Sequence, residues 1–153
     1  MTAEQKLAEL GLTLPEASAP QFTYRAFKRN GDTAYISGQG PRKPDGSLHA
    51  GKVGGDVSTG EAAVHAKLVG LQLLAVAKAA AGGDLDKVEF LKVFGMVNAV
   101  PEFGEQPKVI NGCSDLLVAV LGERGTHARS AVGHGSLPFN MTVEIEAVIK
   151  IHD

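Results

Sequence analysis

Val143-Glu144-Ile145-Glu146-Ala147-Val148-Ile149-Lys150-Ile151 is the stretch on which the fold turns. Val143, Ile145, Ala147, Ile149 and Ile151 alternate with Thr142, Glu144, Glu146 and Lys150. Successive side chains of a strand point to opposite faces, so this is a strand with one buried face. Just upstream, Ala128–Val132 reads as a short strand, and Leu137-Pro138-Phe139-Asn140 as the turn between the two. Further back, Pro107 suits the first turn of a helix whose Val109, Ile110, Cys113, Leu116, Leu117 and Val120 face inward until Gly122 stops it. Val88, Phe90, Leu91, Val93 and Met96–Ala99 form a nearly continuous apolar strand, which predicts a central position covered on both faces; Pro101 ends it.

Before that strand lies a long helix. Ser58 and Glu61 have capping-box spacing, and Gly82-Gly83 ends the run. Its expected apolar stripe is Val64, Leu68, Leu71 and Ala75, with Glu61, His65, Gln72 and Lys78 outward. Gly38–Gly55 is a long loop. Phe22–Arg29 alternates as a strand, Asn30-Gly31 supplies a hairpin turn, and Thr33–Ser37 returns. Thr2-Ala3-Glu4-Gln5 caps a short helix ended by Gly11, and Leu12–Gln21, with Pro15 and Pro20, is an extended connector. Residues 1–21 are thus an accessory helix and connector, and 22–153 a single domain. The order strand, strand, helix, strand, helix, strand, strand predicts an α+β fold, a sheet covered by two helices.

Composition narrows the class. The 153 residues are 44% hydrophobic and 21% charged, which suits one globular domain. Fifteen Lys and Arg against 17 Asp and Glu leave a net charge of −2, so no basic excess invites nucleic acid. Nineteen glycines against six Phe, two Tyr and no Trp favour turns and close backbone approaches over a bulky aromatic core. Cys113 stands alone, which excludes an intrachain disulfide. Met1–Leu10 is charged rather than signal-like, and the mostly apolar Leu68–Gly83 falls short of the roughly 20 residues a bilayer needs. The expectation is a cytoplasmic protein.

The five histidines, His49, His65, His127, His134 and His152, form no metal-ligand spacing, and surface or hydrogen-bonded roles are expected of them. Cys113 reads as a small core residue. Gly51-Lys52-Val53-Gly54-Gly55 lacks the Gly-Lys-Ser/Thr ending of a phosphate loop. What remains is Arg129, in the otherwise small and apolar run His127-Ala128-Arg129-Ser130-Ala131-Val132-Gly133, together with Glu144. A guanidinium fork grips a carboxylate, and a nearby carboxylate positions or deprotonates water. The same two residues equally fit a structural Arg–Glu pair across the sheet.

Three blocks carry a family resemblance: Tyr35-Ile36-Ser37-Gly38-Gln39, Ala128-Arg129-Ser130-Ala131-Val132, and Leu137-Pro138 followed by Val143-Glu144-Ile145-Glu146-Ala147. Over about Phe22 to Ile151 the chain resembles the RidA/YjgF family of imine deaminases, also labelled endoribonuclease L-PSP. The resemblance implies a chorismate-mutase-like fold, with an antiparallel or mixed sheet packed on one face by two helices. It also implies a barrel-like homotrimer with clefts between subunits. In the same terms Arg129 grips the substrate carboxylate, Glu144 positions water and Tyr24 shapes the pocket as the catalytic group. Ser37, Gly38, Asn111 and Ala131 bind substrate. His127-Ala128-Arg129-Ser130 replaces the family's Pro-Ala-Arg-Ser, Ala131 stands where Cys is frequent, and residues 101–125 are longer and differently worded. These departures mark a divergent branch.

The activity implied is hydrolytic deamination of small 2-imino or enamine acids to 2-keto acids and ammonia, of the 2-iminobutanoate/2-iminopropanoate deaminase type, with no metal or organic cofactor. A second reading is a regulatory trimer that binds a carboxylate metabolite without turning it over. Endoribonuclease activity ranks third.

Overall fold

In the computed structural model, which describes residues 1–19 and 22–153, the elements follow as α1 (Ala3–Glu9), β1 (Phe27–Asn30), β2 (Thr33–Gln39), α2 (Thr59–Ala80), β3 (Val88–Asn98), α3 (Gln106–Leu121), β4 (Ala128–His134) and β5 (Val143–Ile151). The alternating stretch that opened the sequence reading becomes β5, the middle strand of a five-stranded sheet ordered β1-β2-β5-β3-β4. All neighbours are antiparallel except β3 and β4, which run parallel. α3 supplies the crossover that a parallel pair requires. The result is an α+β, chorismate-mutase-like architecture.

The core lies between one face of this sheet and the helices. Val143, Ile145, Ala147, Ile149 and Ile151 are all buried. Val109, Ile110, Cys113, Leu116, Leu117 and Val120 of α3 are buried as their spacing predicts. Gly122, with φ 61°, closes that helix in a left-handed conformation that suits glycine. α2 begins at Ser58, whose side chain accepts from the Glu61 amide.

The stripe expected on α2 is in the wrong phase. Of it Ala75 is buried as expected, but Val64 is exposed and Leu68 and Leu71 are only half-buried, whereas Ala62, Ala66, Val69, Leu73 and Ala77 are buried. His65 and Gln72, expected outward, also point in. The reason is that α2 is apolar around most of its circumference and packs on both α3 and the sheet. Its two buried polar side chains are held by hydrogen bonds, His65 Nδ1 with Thr142 Oγ1 at 2.9 Å and Gln72 Nε2 to the Gly40 carbonyl at 2.7 Å. At 22 residues and mean hydropathy 1.3, α2 is long and apolar enough to cross a membrane, but 56% of its most apolar window is buried inside the fold. It is the core helix.

β3 is central, as expected, but it is not covered on both faces. A bulge between Phe90 and Lys92 switches the phase of its apolar residues. Val88, Phe90, Val93 and Val97 face the helices. Lys92, Phe94 and Met96 lie on the opposite face, half-buried, with no helix or strand over them among the described residues.

The first strand is shorter than its alternation suggests. β1 starts at Phe27, and Phe22–Arg25 is turn and extended chain, with Phe22 at φ 59° and largely exposed. The capping box of α1 is present, with Thr2 Oγ1 accepting from the Gln5 amide at 3.1 Å and Gln5 Oε1 from the Thr2 amide at 2.8 Å. Ala3 and Leu7 join the main core, and the Ala3 amide donates to Asp86 Oδ1 at 2.8 Å. Of the connector, Pro20 and Gln21 lie outside the described residues.

Candidate active site

Glu144 projects from β5 on the sheet face away from the helices, since its β3 partner is Met96 while the flanking Val143 and Ile145 are in the core. β2 lies on its other side. A register shift between Ile36 and Gln39 brings Gly38 beneath the Glu144 side chain. A Cβ on Gly38 would stand 2.9 Å from Glu144 Oε1, so glycine is what lets the carboxyl lie flat against β2. Glu144 lines a cavity of about 500 Å³ with Phe22, Tyr24, Leu48, Phe139 and Met141. The connector forms one wall, held where Ser18 Oγ donates to Gln39 Oε1 at 2.8 Å. Half-burial pushes the Glu144 carboxyl above its ordinary pKa; the neighbouring Glu146 adds to the rise, and His134 opposes it.

Arg129 lies on the other face. In the parallel β3–β4 register it pairs with Val93, a core residue on the helix side. Its guanidinium Nη1 donates to Asn111 Oδ1 at 2.8 Å and to Ser114 Oγ at 3.2 Å, both on α3. Ser114 Oγ is 2.9 Å from His127 Nε2, and His127 Nδ1 is 2.7 Å from the Gly125 carbonyl. Ala131, two residues beyond Arg129, shares this face and packs on the core. A structural Arg129–Glu144 pair across the sheet is therefore not formed. The sheet itself separates the two groups.

The residues singled out from sequence thus fall into two clusters. Tyr24, Gly38 and Glu144 share the cavity. Arg129, Asn111 and Ala131 gather on the helix side of the β4 edge. Ser37 sits beside the first cluster: its hydroxyl donates to the Arg25 carbonyl at 2.5 Å, and it lines a neighbouring hollow with Tyr24, Tyr35 and Glu146. Cys113 is fully buried and its thiol pushed up to about 12 by burial, in keeping with a core residue rather than a nucleophile. His65 stacks on His49 with ring centres 4.1 Å apart, and His152 Nε2 meets Glu89 at 2.6 Å. Among the described residues no three His, Cys, Asp or Glu side chains gather as a metal site.

Ser114 was not singled out from sequence, and His127 was expected only in a surface or hydrogen-bonded role, which it has, and not as a neighbour of the Arg129 cluster. The signal was present in spacing: His127 precedes Arg129 by two positions, which shares a strand face, and Ser114 follows Asn111 by three, which shares a helix face. The apolar cavity wall of Leu48, Phe139 and Met141 comes from loops and carries no comparable signal.

A mixed sheet with two helices on one face and a Gly–Glu cavity at its end defines a chorismate-mutase-like α+β protein. The chain belongs to the family described as YjgF/chorismate mutase-like, "putative endoribonuclease", whose model matches residues 4–149 and so takes in most of α1. It is 38% identical over 149 residues to Protein TCP17 of Trypanosoma cruzi, covering 96% of this chain and 92% of that one. The crystal structure of Atu1372 from Agrobacterium tumefaciens, a protein described as of unknown function, superposes with a TM-score of 0.90 at 45% identity, over 99% of this chain and 93% of that one. RidA from an Antarctic Psychrobacter superposes with a TM-score of 0.61 at 29% identity, over 89% of this chain and 94% of that one. The gap between 0.90 and 0.61 fits a divergent branch within the RidA/YjgF family.

Proposed function

We propose that this protein hydrolyses small 2-imino or enamine acids to 2-keto acids and ammonia, in clefts completed by neighbouring copies of a homotrimer. The observation that carries the reading is the Glu144 carboxyl, half-buried over the bare backbone of Gly38 at the wall of a cavity. A carboxyl held above its ordinary pKa is better matched to taking and returning a proton than an ordinary, fully solvated one. Water attacks the carbon of the protonated imine while Glu144 accepts one of its protons. The C–N bond then breaks as the C=O forms, and the protons from water leave on nitrogen as ammonium. The protonated imine is already electrophilic, so orientation and proton transfer are what the protein must add.

Arg129 grips the substrate carboxylate in this proposal. Because Arg129 and Glu144 lie on opposite sheet faces, one ligand meets both only if Arg129 comes from one copy and Glu144 from the next. The half-buried residues Lys92, Phe94 and Met96, with no helix or strand over them among the described residues, suit burial between copies. A reactive imine is short-lived in water, which favours action in the cytoplasm where it forms. In a coupled assay, a dehydratase generates 2-aminoacrylate or 2-iminobutanoate and keto-acid release is followed. Wild type is expected to accelerate release, and Arg129→Ala and Glu144→Gln to lose the acceleration. Equal rates with and without wild type overturn the reading. Keto-acid binding without acceleration moves the protein to a metabolite-binding role.

A further inference from the structure

Arg129 is a half-buried cation with no acid beside it: among the described residues it takes part in none of the ion pairs. An unpaired charge in such a place is costly unless something outside the chain compensates it. The hydrogen bonds around it run in one direction. Arginine only donates, so Asn111 Oδ1 and Ser114 Oγ both accept, and both accept from Nη1. The Gly125 carbonyl can only accept, so the hydrogen of a neutral His127 ring sits on Nδ1, 2.7 Å from it, and Ser114 Oγ donates to Nε2 at 2.9 Å. Nε2 is then the acceptor end of the neutral ring. The relay from Arg129 through Ser114 and His127 ends on backbone.

We infer that Ser114 and His127 are positioning residues that lock one end of the Arg129 guanidinium, so that its Nε–Nη2 edge is presented to a ligand carboxylate. The inference rests on the proposed reading of Arg129 as the carboxylate grip, and it adds which edge binds and what holds it. With Nη1 engaged, Nε–H and the adjacent Nη2–H remain as two parallel donors, spaced for the two oxygens of a planar carboxylate. Among the described residues they meet no protein acceptor. The lock is anchored on α3 and at the start of β4, regular elements that hold a side chain more firmly than loops do. The ligand class is accordingly a carboxylate whose plane lies along the guanidinium, and the corresponding amide is excluded.

The test is calorimetric binding of 2-oxobutanoate to the full chain. Ser114→Ala and His127→Ala free the guanidinium and are expected to weaken Kd about tenfold, the scale of one hydrogen bond to a charged group. Ser114→Thr keeps the hydroxyl, and in His127→Gln the side-chain oxygen stands near the place of Nε2, so both are expected to bind within about threefold of wild type. 2-Oxobutanamide is expected to bind none of them. Nitrogen-15 spectra of wild-type His127 should show a protonated Nδ1 and a bare Nε2, a readout that holds even if an alanine variant fails to fold. Unchanged binding by folded Ser114→Ala and His127→Ala overturns the inference alone. So does failure of His127→Gln to recover binding, or a protonated Nε2. A wild type that binds no 2-oxobutanoate overturns the inference and the proposed function together.

Discussion

The Glu144 carboxyl lies where a Cβ on Gly38 would otherwise be, with Oε1 2.9 Å from that position. Contact is made by the Glu144 side chain, from Cγ at 3.1 Å to Oε1 at 2.9 Å, and not by backbone, so Gly38→Ala is accommodated by displacing Glu144 rather than the sheet. The expected outcome is a melting temperature within a few degrees of wild type and a kcat lower by about a hundredfold, the scale of a misplacement near 1 Å. Thermal melts and the coupled assay read the two effects separately. An alanine variant of full activity would remove Glu144 from the proposed chemistry.

Arg129 and Glu144, on opposite faces of one sheet, give the assembly a sharp test. Arg129→Ala and Glu144→Gln are each expected to be inactive. Refolded together in equal amounts, the two variants would place an intact Arg129 beside an intact Glu144 in about a quarter of the inter-subunit sites of a cyclic trimer. Recovery of roughly that fraction of wild-type activity is the expected outcome. Groups that acted within one chain would give no recovery, and sedimentation as a monomer would remove the shared cleft.

Much of the architecture was legible because local signals agreed with one another. On α3, Pro107, the spacing from Val109 to Val120, and Gly122 all point to the same helix and the same buried face. β5 is legible because its alternation is unbroken over nine residues. α2 is not, since a helix buried on two sides has no single stripe, and its inward His65 and Gln72 depend on Thr142 and Gly40, far away in sequence. Phe22–Ala26 alternates like a strand yet only its end meets β2, where the Ala26 carbonyl accepts from the Ser37 amide at 2.9 Å. The division of Arg129 from Glu144 was hidden for another reason: which face a strand residue takes is set by register across β3, and register is a property of pairs of segments.

Glu144 also sets a pH dependence. In the proposed reaction its base form takes a proton from water, so the acid limb of kcat/KM should lie above the ordinary carboxylate range. Glu146→Gln removes a charge that raises the Glu144 pKa and should move the limb to lower pH. The stability effect has a definite sign. A carboxyl whose folded pKa is raised costs stability above that pKa, and the cost fades as pH falls toward its unfolded value of about 4.3. Glu144→Gln should therefore melt above wild type at neutral pH, with the margin narrowing on acidification. A margin that widens in acid would exclude burial of the carboxyl as its cause.

Where α3 crosses α2, a Cβ on Gly112 would run into the backbone carbonyl of Ala63. Backbone cannot swing aside as the Glu144 side chain can, so Gly112→Ala must push the helices apart. The expected loss lies at or beyond the top of the ~1–3 kcal/mol range of overpacking, a fall in melting temperature of about 10 °C for a domain of this size. Gly60→Ala, on the same α2 with open space around its missing Cβ, is the control and should melt near wild type.

The position of β5 has a consequence for how the protein is made. It sits between β2 and β3, so until residues 143–151 leave the ribosome the β1–β2 hairpin and the β3–β4 pair share no strand. During synthesis the nascent chain holds two half-sheets, each with an unpaired inner edge, and such edges attract other chains. Closure of the sheet is a late event dominated by long-range pairing. Trigger-type holdases that shield apolar nascent chain should therefore bind this protein most strongly just before its last strand emerges.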